Sequence, residues 1–435
     1  MRTARTRRTG IVALGCTVLT ATALLSGCGS SSGGSSANGG GKITLTIDLF
    51  GTFGYKEAGL YAEYEKLHPN IVIKETDTEN EADYWQALQT HLAADSGLGD
   101  IQGVEVGRIA TVVRQEASDF TDLNTLGASS VTRNFLPWKI KVATTPSGAV
   151  LGLGTDIGPE AICYRSDLLK QAGLPTDRAA LAQKWSTWTG YVGLGKQYQA
   201  HAPAHSAWTD SATGLFTAMT GQQAVRYYDQ SGKPVYGSNP LVKSAWDTSV
   251  EAARAGITAK LTQWSPQWNQ AFSTGAFATL PCPAWMTGYI KGQAGAAGKG
   301  RWDIAPGPGA TGNWGGSYLA IPKTSPHQKQ AYDLIAWLTA KDQQVTLFEK
   351  EGNFPSNTQA IGAVQNYTDP YFNNAPVGQI FGDSAKNMPV QVLGVHDGDV
   401  NTALTNALSE VEQKGVSPQQ AWQNAMNNIA NAVAQ

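Results

Sequence analysis

The hydrophobic pattern changes character three times along the chain. Arg2, Arg5, Arg7 and Arg8 precede a stretch from Ile11 to Leu25 made of apolar residues, small residues and threonines. At 15 residues it is shorter than the about 20 that a helix rising ~1.5 Å per residue needs to cross a bilayer core. Its length and basic flank predict a secretory signal peptide. From Gly29 to Gly41 every residue except Ala37 and Asn38 is glycine or serine. Such a segment cannot bury a core, and as a flexible tether its reach is about 20 Å. Periodic apolar positions begin at Ile43.

Ile43 to Leu49 predicts a strand, and Leu60, Tyr61, Tyr64 and Leu67 make one stripe of a helix that His68-Pro69-Asn70 ends. Ile71-Val72-Ile73 opens a second strand. Tyr84, Trp85, Leu88 and Leu92 line one face of a second helix, stopped by Ser96-Gly97, before a strand from Asp100 to Val106. The same grammar returns in strands at Ala278 to Leu280 and Ser317 to Ile321, and in a helix striped by Ala331, Leu334, Ile335 and Leu338. A last helix has Ser417 as N-cap and Pro418 in its first turn, and runs through Trp422, Met426 and Ile429. This alternation predicts an α/β fold of mostly parallel sheets flanked by helices, with ligands bound beyond the carboxyl ends of the strands. The 394 residues from Lys42 onward are too many for one core, and no repeat or second linker divides them. Two lobes joined by several crossings fit best.

Composition sharpens the picture in three places. Removal of residues 1–27 takes four arginines and no acid, so the formal charge moves from −2 to −6. That balance argues against nucleic acid and against a basic membrane patch. Thirteen tryptophans are a high count for this length; some belong to the core, but flat aromatic faces also suit the apolar C–H faces of pyranose rings. Of the four cysteines, Cys16 leaves with the signal peptide. Leu25-Ser26-Gly27-Cys28 resembles the bacterial lipobox, in which Cys28 becomes the first mature residue and carries a diacylglycerol; two acyl chains anchor stably. Thr6-Arg7-Arg8 fits a twin-arginine signal poorly, and the export route stays open. Cys163 and Cys282 both sit in apolar, strand-like surroundings. In a compartment that permits disulfides, a bridge and two buried free thiols are equally compatible with them.

The order of pieces is more specific than any one of them. It runs from the helix at Tyr84 to Ala94 with Ser96-Gly97-Leu98-Gly99-Asp100-Ile101, through Pro159-Glu160-Ala161-Ile162-Cys163-Tyr164-Arg165 leading into Asp167-Leu168-Leu169. Gly275-Ala276-Phe277-Ala278 ahead of Trp285, Trp314-Gly315-Gly316-Ser317 and the Ser417-Pro418 helix follow. Together they resemble the family 1 extracellular solute-binding proteins, the group of maltose-binding protein, over nearly all of the mature chain. Arg165-Ser166 departs from the Asn-Lys usual there, at a structural position. A narrower likeness, to actinobacterial cello-oligosaccharide-binding lipoproteins, rests on Thr155 to Arg165 and Asn313 to Ser317. The resemblance implies a two-lobed periplasmic-binding-protein-like fold with a ligand cleft between the lobes. It also implies a monomer without cofactor or metal, held at the outer face of the cell membrane by its lipid alone. That monomer would capture a sugar, expected to be a β-linked gluco-oligosaccharide, for an ABC permease and its ATPase. The expected division is signal peptide 1–27, tether 28–41, first lobe 42–158, second lobe 159–313, return to the first lobe 314–357, and C-terminal helices 358–435 mainly on the second lobe.

Catalytic signatures are weak by comparison. Gly307-Pro308-Gly309-Ala310-Thr311-Gly312 matches a dinucleotide fingerprint by letter, but a proline sits inside it and Asn313-Trp314-Gly315-Gly316 follows, so it predicts a turn. His201 and His205 are four apart, yet Pro203 lies between them and no acid completes a zinc motif, which predicts a polar loop. The folded part contains no S-x-x-K and no G-x-S-x-G. Asp156 and Glu160 could form a glycosidase pair in letters only. The chain is therefore expected to bind and not to catalyse. A lipid-anchored glycoside hydrolase, a binder of a non-sugar solute and a surface adhesin or sensor are the competing readings. For sugar contact, Trp285 leads: it follows a strand, in a loop shaped by Pro281 and Pro283, and matches the family's cleft tryptophan. Trp314 with Gly315 and Gly316 comes next, since the glycines let backbone N–H groups approach a ligand. Asp156 and Glu105 are placed where a carboxylate can take paired hydroxyls, and Phe53, Asn80 and Trp208 are loop candidates. Trp264 and Trp268, four apart, are expected on a helix facing the core.

Overall fold

A computed structural model describes residues 41–433; the signal peptide, Cys28 and most of the tether lie outside them. Eleven strands form two main sheets and a small ladder. In chain order they are β1 (Ile43–Phe50), β2 (Ile71–Thr78), β3 (Ile101–Glu105), β4 (Leu153–Gly154), β5 (Asp156–Ile157), β6 (Glu160–Arg165), β7 (Ala207–Thr209), β8 (Phe277–Pro283), β9 (Trp302–Ala305), β10 (Ser317–Ala320) and β11 (Phe354–Pro355). The sheet of the first lobe runs β2-β1-β3-β10-β4 and that of the second β7-β8-β6-β9, with β11-β5 as a two-stranded ladder.

Strand direction departs from the sequence expectation in both sheets, most in the second. β1 pairs in parallel with β2 and β3, as strand–helix alternation predicts, but β10 runs antiparallel to β3 and β4. In the second sheet only β7 and β8 are parallel, and β6 is antiparallel to both neighbours. The cause is connectivity. β6 enters its sheet straight from β5 through Gly158-Pro159, from the opposite end to a strand delivered by a helical crossover.

The stripe Ala331, Leu334, Ile335 and Leu338 of the helix Gln328–Leu338 is wholly buried against the first sheet. The helix Leu60–Leu67 buries Leu60, Tyr61 and Tyr64, but Leu67 lies at its exposed end. Ser417 caps the last helix, Pro418–Val433, by accepting from the Gln420 N–H, and Ala421, Ala425 and Ile429 face inward. That helix and the preceding one, Asp397–Lys414, pack on the core of the second lobe. No helix among the described residues is long and apolar enough to cross a membrane.

Cys163 on β6 and Cys282 on β8 are joined by a disulfide, with their Cα atoms 5.4 Å apart, in the apolar core beneath the cleft. The question the sequence left open is thereby answered in favour of the bridge. Trp208 is corrected: it is on β7, fully buried among Trp185, Tyr191 and Tyr198, and not in a loop. Gly195 leaves the space it fills, since a Cβ there would fall 2.5 Å from its Cδ1.

Candidate functional site

Between the two sheets lies a cleft of ≈ 380 Å³ walled by residues of both lobes. Eight of the nine sequence candidates line it: Trp285, Trp314, Gly315, Gly316, Asp156, Glu105, Phe53 and Asn80; Trp208 does not. Trp285 follows β8 and is half-buried. Its indole N–H donates to the Trp314 carbonyl at 2.9 Å, which fixes the ring plane. Trp314 stands edge-on to it at 86°.

Trp264 joins this wall and corrects the expectation of a core position. The helix begins at Pro266, with Ser265 as its N-cap, so Trp264 precedes it and takes a left-handed backbone, φ 69°. Its ring stacks on Trp285 at 5.8 Å and 27°. Trp268, inside the helix, is fully buried as expected, with its N–H donated to Asp210. The Ser265-Pro266 pair was the available signal, since an N-cap followed by proline marks a helix start.

Two carboxylates, Asp156 and Glu105, also line the cleft. Asp156 Oδ1 accepts from the Thr155 hydroxyl at 2.6 Å and the Ser317 N–H at 2.9 Å. Burial pushes its pKa up, opposed by the nearby Lys139 ammonium. Lys139 is itself fully buried, 4.0 Å over the Tyr318 ring, and its Nζ has no hydrogen-bond partner among the described residues. Burial lowers its pKa to about 8. Gly316 must be glycine here: φ is 92°, and a Cβ would fall 2.8 Å from the Asp156 carbonyl and 3.1 Å from Lys139 Nζ. Phe53 contributes an edge held T-shaped against Phe50, and the Asn80 side-chain oxygen caps the helix Glu81–Ala94 by accepting from Ala82 and Asp83.

Glu105 ends β3, where it accepts from the Gly107 N–H. Burial, and then the neighbouring Glu81 carboxylate, raise its pKa to about 7 against the pull of Arg226 and Arg108. Between pH about 4.5 and about 7 the folded chain therefore keeps a proton that the unfolded chain has released. Through this group the fold loses stability as pH rises across that window. Glu105→Gln is expected to gain on the wild type by on the order of 1 kcal/mol at pH 8 and by almost nothing at pH 5. Thermal unfolding of both proteins at the two pH values checks this, and an equal offset at both would refute it.

Several lining groups carried no sequence prediction. Asn401, Thr402, Thr405, Asn406 and Ser409 face the cleft from the helix Asp397–Lys414, whose Val400, Leu404, Leu408 and Val411 face the core. The legible signal was an uncharged hydroxyl and amide stripe at three- and four-residue spacing. Arg226 lines the cleft while paired with Asp397. Arg108 of the first lobe pairs with Glu81 at 3.1 Å and reaches Asp399 of the second lobe. Across the cleft, Glu79 accepts from Asn269 at 2.7 Å and from the Tyr289 hydroxyl at 3.2 Å. The walls are thus tied together at two places.

Glu160 does not line the cleft; it is buried beside Gly221 and Gly312, so the letter pair Asp156 and Glu160 does not face one ligand. His201 ends the helix Trp188–His201 and His205 lies in the loop after it, and no metal-ligand cluster occurs among the described residues. The glycine-rich run 307–312 is a loop leading to β10, with no helix after it.

The match to known proteins follows this geometry. Residues 59–373 match the family of bacterial extracellular solute-binding proteins. The chain belongs to that family. A crystal structure of an extracellular solute-binding protein of family 1 shares 43% identity with it, covering 90% of this chain and 99% of that one at a TM-score of 0.74. The solute-binding protein is also 27% identical to a lactose-binding protein of Rhizobium radiobacter, over 79% of this chain and 81% of that one. An arabinooligosaccharide-binding protein of Bacillus subtilis (strain 168) is 24% identical over 74% of each chain. These relatives are named as binding proteins, not as enzymes.

Proposed function

We propose that this solute-binding protein captures an oligosaccharide in the cleft, a β-linked gluco-oligosaccharide first, and delivers it to an ABC permease and its ATPase by closing its lobes. The observation that carries the reading is one cleft lined both by three indoles in mutual contact, Trp264, Trp285 and Trp314, and by a stripe of hydroxyls and amides on the helix Asp397–Lys414. Indole faces take the C–H faces of sugar rings, and hydroxyls and amides take their hydroxyls. Two relatives named for lactose and for arabinooligosaccharides support a sugar over other solutes. Lobe closure is supported by the pairs Arg108–Asp399 and Glu79–Asn269, which hold the two walls of the cleft together. In this reading residues 42–158 and 314–357 make the first lobe, 159–313 and most of 358–435 the second, and the protein acts as a monomer.

A thermal-shift panel tests the ligand. Cellobiose and longer cello-oligosaccharides should raise apparent stability by about 2.7 kcal/mol at a hundred times Kd, by mass action. Lactose, maltose, chitobiose, polyols, amino acids and peptides complete the panel. A shift with an amino acid, peptide or polyol and none with any sugar would refute the reading.

The lipid anchor is the second part of the proposal. Cys28 follows Leu25-Ser26-Gly27, and no other segment offers two acyl chains. Cys28→Ala is expected to move the protein from the membrane fraction to the medium or periplasm. Retention of the variant through salt and carbonate washes would end the lipoprotein reading.

A further inference from the structure

The cleft has a neighbour. A groove of ≈ 480 Å³ lies between the helix Asp397–Lys414 and the C-terminal helix Pro418–Val433. Thr262, Asn406 and Ser409 belong to the walls of both spaces, so the groove and the cleft meet at these three residues. At that junction the Gln413 side-chain amide donates to the Thr262 hydroxyl at 2.9 Å, which ties the loop carrying Trp264 to the helix.

The groove's chemistry is unusual for a helix pair at a surface. Ala403, Ala407 and Ala425 form its floor, and three methyl groups leave the space that larger side chains would fill. Its rim carries the amides Gln413, Asn424 and Asn428, with the paired charges Glu410 and Lys414 at one end, 3.5 Å apart. The C-terminal helix has no charged residue from Pro418 to Val433, and amides stand at positions 419, 420, 423, 424, 427, 428 and 431. Solvent-facing helix surfaces ordinarily carry charge. The uncharged amide wall of the C-terminal helix, each amide both donor and acceptor, over an apolar floor matches a pyranose, which presents hydroxyls at its edge and C–H groups on its face, and the Glu410–Lys414 pair opposite offers further hydroxyl partners.

Size gives the groove a purpose. Ligand pockets span about 300–1,000 Å³, and the cleft at ≈ 380 Å³ lies near the lower end of that range. A long oligosaccharide cannot be enclosed there and must leave by an opening. We propose that the groove is an outer subsite, in which sugar units beyond those held in the cleft pass Thr262, Asn406 and Ser409 and lie between the two helices. This rests on the oligosaccharide reading above and adds to it a preference for chain length.

Calorimetric titration with three series of two to six units tests it: cello-, β-1,4-galacto- and α-1,5-arabino-oligosaccharides, on the wild type and on Asn424→Ala/Asn428→Ala. Both positions are on the outer side of a helix, where alanine favours the fold. The wild type should gain about tenfold in affinity between two and five units of the series it binds. The variant should lose about five- to tenfold for five units and nothing for two. Disaccharide binding with no gain on lengthening, or an equal loss at every length, overturns the outer subsite and leaves the cleft reading intact. Binding of no member of any series overturns both.

Discussion

Replacing Trp285 with alanine is expected to lower sugar affinity about 30- to 100-fold while the protein still unfolds as one cooperative unit. The ring is half-buried in the cleft wall, stacked on Trp264 and hydrogen-bonded to the Trp314 carbonyl. Its loss removes a stacking face and also frees the two indoles beside it, a change of about 2–3 kcal/mol for an aromatic anchor in a binding pocket. The contrast is Trp208, fully enclosed in the second lobe's core, where truncation acts on folding at about 3–5 kcal/mol. Titration calorimetry with the best ligand of the panel, alongside thermal unfolding, separates the two effects. A folded Trp285→Ala protein with unchanged affinity would remove Trp285 from the site.

Gly158→Ala is the second large effect, and it acts on fold and site through one atom. A Cβ at Gly158 would fall 1.8 Å from the Trp314 carbonyl oxygen, and backbone cannot swing aside as a side chain can. That oxygen is the acceptor for the Trp285 indole. The crossing segments are further locked by Gly158 N–H to Asn313 Oδ1 and Trp314 N–H to the Gly158 carbonyl, both 2.9 Å. Alanine is expected to reduce stability by about 2–4 kcal/mol through overpacking. Molecules that still fold should bind sugar at least tenfold more weakly, because the displaced carbonyl no longer positions Trp285. Denaturant unfolding and ligand titration of the variant measure both. Wild-type stability would mean that the crossings yield freely, and wild-type affinity that Trp285 does not depend on them.

Much of this arrangement was legible before any coordinates, and for physical reasons. A helix such as Gln328–Leu338 buries one face, so its four apolar residues repeat at the helical period and read directly. Trp285 and Trp314 read as loop residues because prolines or glycines stand beside them, and both lie in the cleft lining. Local spacing misleads where a single turn residue or a distant packing partner decides. Trp264 and Trp268 share helical spacing, but Ser265-Pro266 starts the helix between them. Trp208 belongs to the core because Gly195, on another element, opens the space it occupies. The direction of β6 is set by which lobe the chain comes from, and a strand's own residues do not encode that. The polar stripe of Asp397–Lys414 was visible but unremarked, since hydroxyls and amides on a helix carry no distinctive chemistry until the cleft they line is known.

The Cys163–Cys282 bridge gives the protein two lives. It spans 119 residues of sequence and joins β6, the strand that enters from the crossing, to β8, the strand that leads to Trp285. Closing so long a loop contributes about 2–5 kcal/mol to the native state, and only where the surroundings are oxidising. In reducing surroundings the sheet beneath the indoles lacks that contribution, and the unfolded polypeptide is correspondingly more populated. In an oxidising compartment the bridge locks the floor of the cleft. Material produced in a reducing cytosol is therefore expected to be a softer protein than the bridged form, with a less rigid floor beneath its indoles.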